Sequence, residues 1–279
     1  MRPIDETTIL ITGATDGLGR GVARELARRG AELLLHGRSQ ERLDATAAEI
    51  RDETPGARLR TLTADLAALD EVRALADAVE ATTDALHVVI SNAGVGSGLP
   101  TGRERAVSRD GHELRFAVNH LAGFLLTQRL LPLLQRSAPA RIVHVASLGQ
   151  APVDFDDVML ERAYDGTRAY SQSKLAQITA GFEQAARLDP DLVTVTSLHP
   201  STYMPTKMVL EEVGSAIDTL EAGVKATVRL AVAPELEGVT GRFFDRQSEA
   251  RPHPQALDRA ARRRLYDLSR ELTGAPDVP

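Results

Sequence analysis

A rhythm constrains this chain more than any single residue does: short apolar runs alternate with longer amphipathic stretches. Residues 8–12 (TILIT), 32–36 (ELLLH), 58–63, 86–91 (LHVVIS), 141–147 (RIVHVAS) and 192–199 (LVTVTSLH) read as strands. Helices fit between them at about 18–29, 40–52, 67–81, 109–135 and 167–187. In the second of these, Leu43, Ala47 and Ile50 recur at spacings of four and three, which is one face of a helix. Such alternation predicts a parallel sheet with helices on both faces, because parallel neighbours need a crossover long enough to hold a helix. The strands are continuous apolar runs, as strands covered on both sides are. A helix at about 216–232, a short strand at 241–244 and a terminal helix at 257–272 extend the pattern. No repeat, low-complexity linker or composition shift divides the chain, so one domain over 1–279 is expected.

The first crossover carries chemistry. Thr12-Gly13-Ala14-Thr15-Asp16-Gly17-Leu18-Gly19 joins the first strand to the first helix. Glycines there let the backbone turn sharply and approach a pyrophosphate, while the helix offers its free N–H groups and positive dipole end. Strand, turn and helix in this order predict a Rossmann-type dinucleotide site. The spacing is T-G-x-x-x-G-x-G rather than G-x-G-x-x-G.

A second constellation is Tyr170-Ser171-Gln172-Ser173-Lys174. Four-residue spacing puts Tyr170 and Lys174 on one helix face. The chain has four tyrosines and three lysines, so composition alone does not produce the pair. A free tyrosine, with a pKa of about 10, is a poor base. A neighbouring ammonium, together with the cation of an oxidised nicotinamide bound at such a site, favours the phenolate and is expected to lower that value, so that Tyr170 can exchange a proton with an alcohol or alkoxide.

With these motifs in this order, the chain resembles the short-chain dehydrogenase/reductase family over about residues 8–200. The stretches 116–131 (FAVNHLAGFLLTQRLL) and 168–175 (RAYSQSKL) resemble its retinol-dehydrogenase-like branch. The resemblance implies a catalytic set of Asn119, Ser147, Tyr170 and Lys174. Ser147, at the end of the fifth strand, would orient the carbonyl oxygen. Asn119, an awkward residue inside a helix, would hold a water for proton relay. Lys174 would also bond the nicotinamide ribose. The turn residues Gly13, Thr15, Asp16, Gly17, Leu18 and Gly19 would bind the cofactor. Asp65 and Leu66 would meet the adenine, and Asn92, Ala93 and Gly94 form the family's N-A-G element, with Ser91 before it where many relatives have another Asn.

At the tip of the second strand stand His36, Gly37, Arg38 and Ser39, with no acid to accept from a ribose 2′-hydroxyl. An Arg there suits the 2′-phosphate of NADP. Arg38 is therefore assigned to that phosphate, with Ser39 or His36 as helpers, and NADP(H) is the expected cofactor. Past the sixth strand, the family's Pro-Gly-…-Thr pattern is altered to Pro200-Ser201-Thr202-Tyr203-Met204-Pro205-Thr206. Thr202, Tyr203 and Thr206 all stay open as the nicotinamide contact, with Tyr203 among the expected cofactor residues. The segment 200–222 is the expected substrate lid, and loops 95–109 and 148–167 the other pocket walls.

Other classes fit less well. A net charge of −6 argues against a general nucleic-acid binder. The run Arg262, Arg263, Arg264 lies among acids and reads as a solvated helix face. Without cysteine there is no disulfide or thiolate chemistry. Asp154, Asp156, Asp157 and Glu161 lack metal-ligand spacing, the histidines are scattered, and no metal is expected. No apolar run reaches the length that spans a bilayer, so a cytoplasmic protein with no membrane partner is expected. The expected function is an NADP(H)-dependent oxidoreductase, a carbonyl reductase on a largely apolar small molecule. The alternative is a non-catalytic NADP-binding regulator. An epimerase of the extended branch would need a larger substrate domain. Relatives associate through the helices at about 109–135 and 167–187, implying a homodimer or homotetramer.

Overall fold

The computed structural model describes residues 2–98, 104–212 and 214–277. Parts of the expected loop 95–109 (residues 99–103) and of the expected lid (Val213) lie outside them. One eight-stranded sheet organises the chain, in the order β3-β2-β1-β4-β5-β6-β7-β8. Its strands are β1 (Thr8–Ile11), β2 (Glu32–Gly37), β3 (Arg58–Thr63), β4 (Val88–Ser91), β5 (Ala140–Val145), β6 (Val193–His199), β7 (Arg242–Asp245) and β8 (Ser248–Ala250). All neighbours are parallel except β7 and β8. β8 was missed in the sequence: at three residues it is too short to show a period.

The strands alternate their side chains between two faces, and both faces are buried. Ile9, Ile11, Leu33 and Leu35 pack on one side against α1 (Gly17–Arg28), α2 (Gln40–Glu53) and α8 (Leu220–Val232). Leu10, Leu34 and Val89 pack on the other, against α3 (Leu69–Thr82), α5 (Ala122–Arg136) and α6 (Gly166–Arg187). The two edge strands depart from the continuous apolar pattern: Arg58 and Arg60 of β3 and Ser248 and Glu249 of β8 are exposed.

The helix expected over 109–135 is interrupted. Residues 107–113 close a turn on a Val107–Glu113 bridge, α4 spans Leu114–Phe116, and a π-helical turn covers Ala117–Leu121 before α5. Such turns are rare, and here the widened one contains Asn119. The helix expected over 216–232 begins later, at Leu220 behind the Thr219 cap. A short α7 (Lys207–Glu212) precedes it.

The terminal helix α9 (Arg259–Thr273) starts on Asp258, which accepts from the Ala260 and Ala261 N–H groups, and stops at Gly274 in the left-handed region. It lies against α5 and α6. Phe124 and Tyr266 meet edge to face at 5.3 Å, a contact worth about 1 kcal/mol beyond its buried area. Gln128 Nε2 donates to the Tyr266 hydroxyl at 2.7 Å, and His120 Nε2 meets Ser269 Oγ at 2.8 Å. Within α6, Thr167, Arg168 and Ala186 are the exposed residues.

Candidate active site

The strand order reverses between β1 and β4, and in open parallel sheets the crevice at such a point, beyond the C-terminal strand ends, is where ligands bind. Four segments meet there. Thr12 ties two of them together: its hydroxyl accepts from the N–H groups of Asn92 and Ala93, both at 3.0 Å. Asn92 Nδ2 returns a bond to Thr12 O at 2.9 Å. The Asn92 side chain thus holds the rim of the crevice together. Leu66 likewise points into the core, at 5% exposure. Asp65 Oδ1 accepts from the Ala67 N–H at 3.0 Å, ordering the end of β3.

The glycines of the first turn are spatially required. A Cβ on Gly19 would stand 2.1 Å from Gly13 O, and one on Gly13 would stand 2.9 Å from Ala93 Cα. Gly13 and Gly17 also have positive φ, 67° and 44°. Asp16 caps α1 by accepting from the Gly17 N–H at 2.7 Å. Arg20 is the first residue of α1 whose N–H closes a turn, on Asp16 O, so the N–H groups of Leu18 and Gly19 lack helical acceptors. A cradle without Cβ atoms at a helix N-terminus fits a dinucleotide pyrophosphate.

At the tip of β2, Gly37 lies against Thr15, and Arg38 is exposed with no bonded partner among the described residues. Ser39 caps α2, accepting from Arg42 N at 3.3 Å. Arg42, one turn after Arg38, was missed in the sequence although the i, i+4 spacing carries the signal. Its guanidinium bonds Asp16 at 2.9 Å, so a second cation stands beside the phosphate turn. His36 is a correction. It is buried between Gly13 N (3.4 Å) and Ala64 O (3.1 Å), and burial pulls its pKa down to about 4. A neutral, enclosed imidazole steadies the glycine turn and is no phosphate helper.

Ser147 and Tyr170 meet at Gly149, where a Cβ would fall 3.4 Å from Ser147 Oγ and 4.0 Å from the Tyr170 ring, and Ser147 Oγ accepts from the Gly149 N–H at 3.0 Å. Lys174 sits one turn along α6, its Nζ 5.9 Å from the Tyr170 ring centroid. That ammonium donates to Val145 O at 2.9 Å and to Gln177 Oε1 at 3.4 Å. The crevice and this helix meet at Gly94, where a Cβ would fall 3.1 Å from Asn119 Oδ1 and 3.5 Å from Lys174 Nζ. Asn119 grips the same segment: Oδ1 accepts from Val95 N at 2.8 Å, and Nδ2 donates to Val95 O at 3.0 Å and Ser173 Oγ at 2.9 Å.

Burial pushes the Tyr170 phenol above its ordinary value, against the lowering effect of Ser147, and the carboxylate of Glu212 adds to the rise. Burial also pulls Lys174 down to about 8. Without a bound cofactor the phenol keeps its proton, because desolvation outweighs its neighbours.

Of the three lid candidates, the structure brings Thr206 to the glycine turn: a Cβ on Gly17 would stand 2.8 Å from Thr206 Cγ2. Thr202 is engaged elsewhere, its hydroxyl 3.0 Å from His199 Nε2 and its N–H bonded to Asp218. Tyr203 has φ 45° and lies within electrostatic reach of Tyr170. A cavity of about 700 Å³ lies at the opposite end of the strands, where β1, β4, β5 and β6 begin, around Thr7, Val88, Arg141 and Thr194.

Sequence reading also missed the support of the loop after β4. Arg115 Nε donates to Gly96 O and Nη2 to Ser97 O, both at 2.8 Å, and Nη1 reaches the Tyr164 hydroxyl at 2.6 Å. Tyr164 donates to Glu113 at 3.1 Å. Burial first, then the Glu113 charge, pushes this phenol up to about 12. In the acidic loop, Asp154 pairs with Arg168 at 2.8 Å and Asp157 caps the Glu161 N–H at 2.8 Å.

Comparison with known proteins agrees with this geometry. The family model described as short chain dehydrogenase matches residues 7–214. The chain belongs to the short-chain dehydrogenase/reductase family. It is therefore an oxidoreductase acting on CH–OH or C=O groups. It is 36% identical to retinol dehydrogenase 13 of Homo sapiens, over 97% of this chain and 86% of that protein. Identity to retinol dehydrogenase 14 of Mus musculus is also 36%, over 96% of this chain and 86% of that protein. Among solved structures, a putative short chain dehydrogenase from Escherichia coli CFT073, complexed with NADPH, superposes with a TM-score of 0.71 at 27% identity. That match covers 87% of this chain and 97% of the other. Among the described residues no helix is long and apolar enough to cross a membrane.

Proposed function

We propose that this protein is an NADP(H)-dependent carbonyl reductase acting on a largely apolar aldehyde or ketone. One observation carries the reading: the Tyr170 side chain beside Ser147, one helical turn from the Lys174 ammonium, at the crevice kept open by Gly13 and Gly19. NADPH, when bound, supplies the hydride. Ser147 donates its hydroxyl to the substrate oxygen and stabilises the charge that develops there. Tyr170 gives its proton to that oxygen, so that carbonyl, hydride and proton sum to the alcohol. A phenol held above its usual pKa keeps this proton until the alkoxide forms. Lys174 then favours the tyrosinate left behind. Asn119 fixes Val95, and with it the wall of the site.

The preference for NADP rests on Arg38, exposed and unpaired at the β2 tip with no acid beside it, and on Arg42 four residues later. The neighbour of known structure complexed with NADPH supports it. The turn residues Gly13, Thr15, Asp16, Gly17, Leu18 and Gly19 take the pyrophosphate in this reading. Asp65 and Leu66 take the adenine, with Leu66 acting through its backbone. Residues 200–222 act as lid within one domain, 1–279, of a cytoplasmic enzyme. The sequence expectation of a homodimer or homotetramer through α5 and α6 meets an obstacle, because α9 lies on those helices. Light scattering on the purified chain tests that expectation by its mass.

The test is Tyr170→Phe, assayed by NADPH absorbance with a panel of aldehydes and ketones. The expected result is a kcat lower by about 10²- to 10⁴-fold, with the NADPH dissociation constant held within about twofold. Unchanged turnover in the variant overturns the proposed role of the phenol.

A further inference from the structure

Resting on the reductase reading, a second assignment concerns the kind of substrate admitted. Glu212, the last residue of α7, is bound at both oxygens by the loop after β4. Oε1 accepts from the Gly98 N–H and Oε2 from the Ser97 hydroxyl, each at 2.7 Å. The lid and this wall of the crevice are 115 residues apart in sequence for the Ser97 bond, so it is a tertiary lock rather than a local turn. The receiving loop is rigidly held. Arg115 grips the carbonyls of Gly96 and Ser97, and Asn119 grips Val95. Gly96 makes room for the carboxylate: a Cβ there would stand 2.2 Å from Glu212 Oε1.

The lid touches the other wall too, through Thr206 on Gly17, so segment 206–212 bridges the crevice mouth. Its carboxylate is near enough to Tyr170 to act on the phenol electrostatically. Hydrogen bonds to a carboxylate spread its charge without removing it. A substrate that reaches Tyr170 therefore passes a fixed negative charge, in a part-buried setting where screening by salt is weak.

We propose that Glu212 latches the lid onto the loop after β4 and thereby selects uncharged carbonyl substrates over those that carry a carboxylate. The selection is like-charge repulsion, the usual route to discrimination where attractive contacts are few.

Two variants separate the charge from the latch. Glu212→Gln removes the charge and one of the two acceptors. Ser97→Ala weakens the latch and leaves the charge. The probes are 4-carboxybenzaldehyde and its neutral methyl ester. Wild type is expected to favour the ester in kcat/KM, Glu212→Gln to narrow that preference by about tenfold, and Ser97→Ala to leave the ratio within about twofold. Amide hydrogen exchange of residues 207–212 in the cofactor-free protein is expected to quicken in both variants. An ester preference unaltered by Glu212→Gln overturns the selection, and unaltered exchange in both variants overturns the latch. If wild type turns over neither aldehyde nor any other carbonyl offered, the reductase reading fails, while the exchange data still read the latch.

Discussion

The two walls of the crevice are built by opposite means. On the β1–α1 side the backbone does the work. Gly13 and Gly19 are defined by what they lack, and the bonds that matter run from Thr12 and Asn92 to main-chain groups a strand away. On the lid side the work is done by side chains from distant parts of the chain. Glu212 reaches Ser97, and Asp218 takes the Ser201 hydroxyl at 2.9 Å and the Thr202 N–H at 3.1 Å. A wall made of backbone tolerates almost no added atom, because there is no rotamer to move. A wall made of side chains gives way by degrees.

The strongest way to break this comparison is Gly19→Ala. The added methyl would meet the main-chain Gly13 O at 2.1 Å and the Asn92 side-chain amide at 2.6 Å. Relief requires the turn to open, which removes the site for the phosphates. NADPH binding is expected to fall at least 100-fold in a fluorescence titration, and the melting temperature to drop as well. Binding within a few fold of wild type would mean that the turn is as pliable as the lid.

The same contrast explains what could be read before any coordinates. The alternation of strands and helices is written in local periods, and the glycine turn is written as missing side chains, so both were legible. Tyr170 and Lys174 were legible because four residues along a helix is a local distance. Glu212, Arg115 and Tyr164 were not, because each acts on a segment many residues away and none breaks a local pattern. The burial of Tyr170 was not legible for a related reason. Sequence shows the neighbouring ammonium but not the burial that raises the phenol's pKa. The α5–α6 face is a similar case: apolar helices announce that something covers them, and only the fold shows α9 there.

A smaller effect is expected at the β2 tip, where the wall is made of exposed side chains. Hydrogen bonds to a charged group are worth about 1.5–3 kcal/mol, or roughly 10- to 100-fold in affinity. Arg38→Ala is expected to raise the NADPH dissociation constant by that factor while leaving NADH within about twofold. Arg42→Ala should do the same more weakly, because its guanidinium is already shared with Asp16. Equal losses for the two cofactors would end the 2′-phosphate assignment.

The smallest effect falls on the lid and decides which hydroxyl meets the cofactor. Thr206 lies against Gly17, and its Oγ1 accepts only a long bond, 3.4 Å, from Val209 N. Thr202 spends its hydroxyl on His199. If the neutral hydroxyl of Thr206 bonds the nicotinamide amide, its loss costs about 1 kcal/mol. Thr206→Val keeps the methyl on Gly17 and removes the oxygen, so NADPH should bind about three- to tenfold more weakly. Thr202→Val should leave that affinity alone and show itself instead in faster exchange around His199. The reverse pattern would move the contact to Thr202, and would mean that the lid shifts by several residues when the cofactor arrives. A wall held by side chains permits such a shift. The glycine wall, with main chain against main chain, does not.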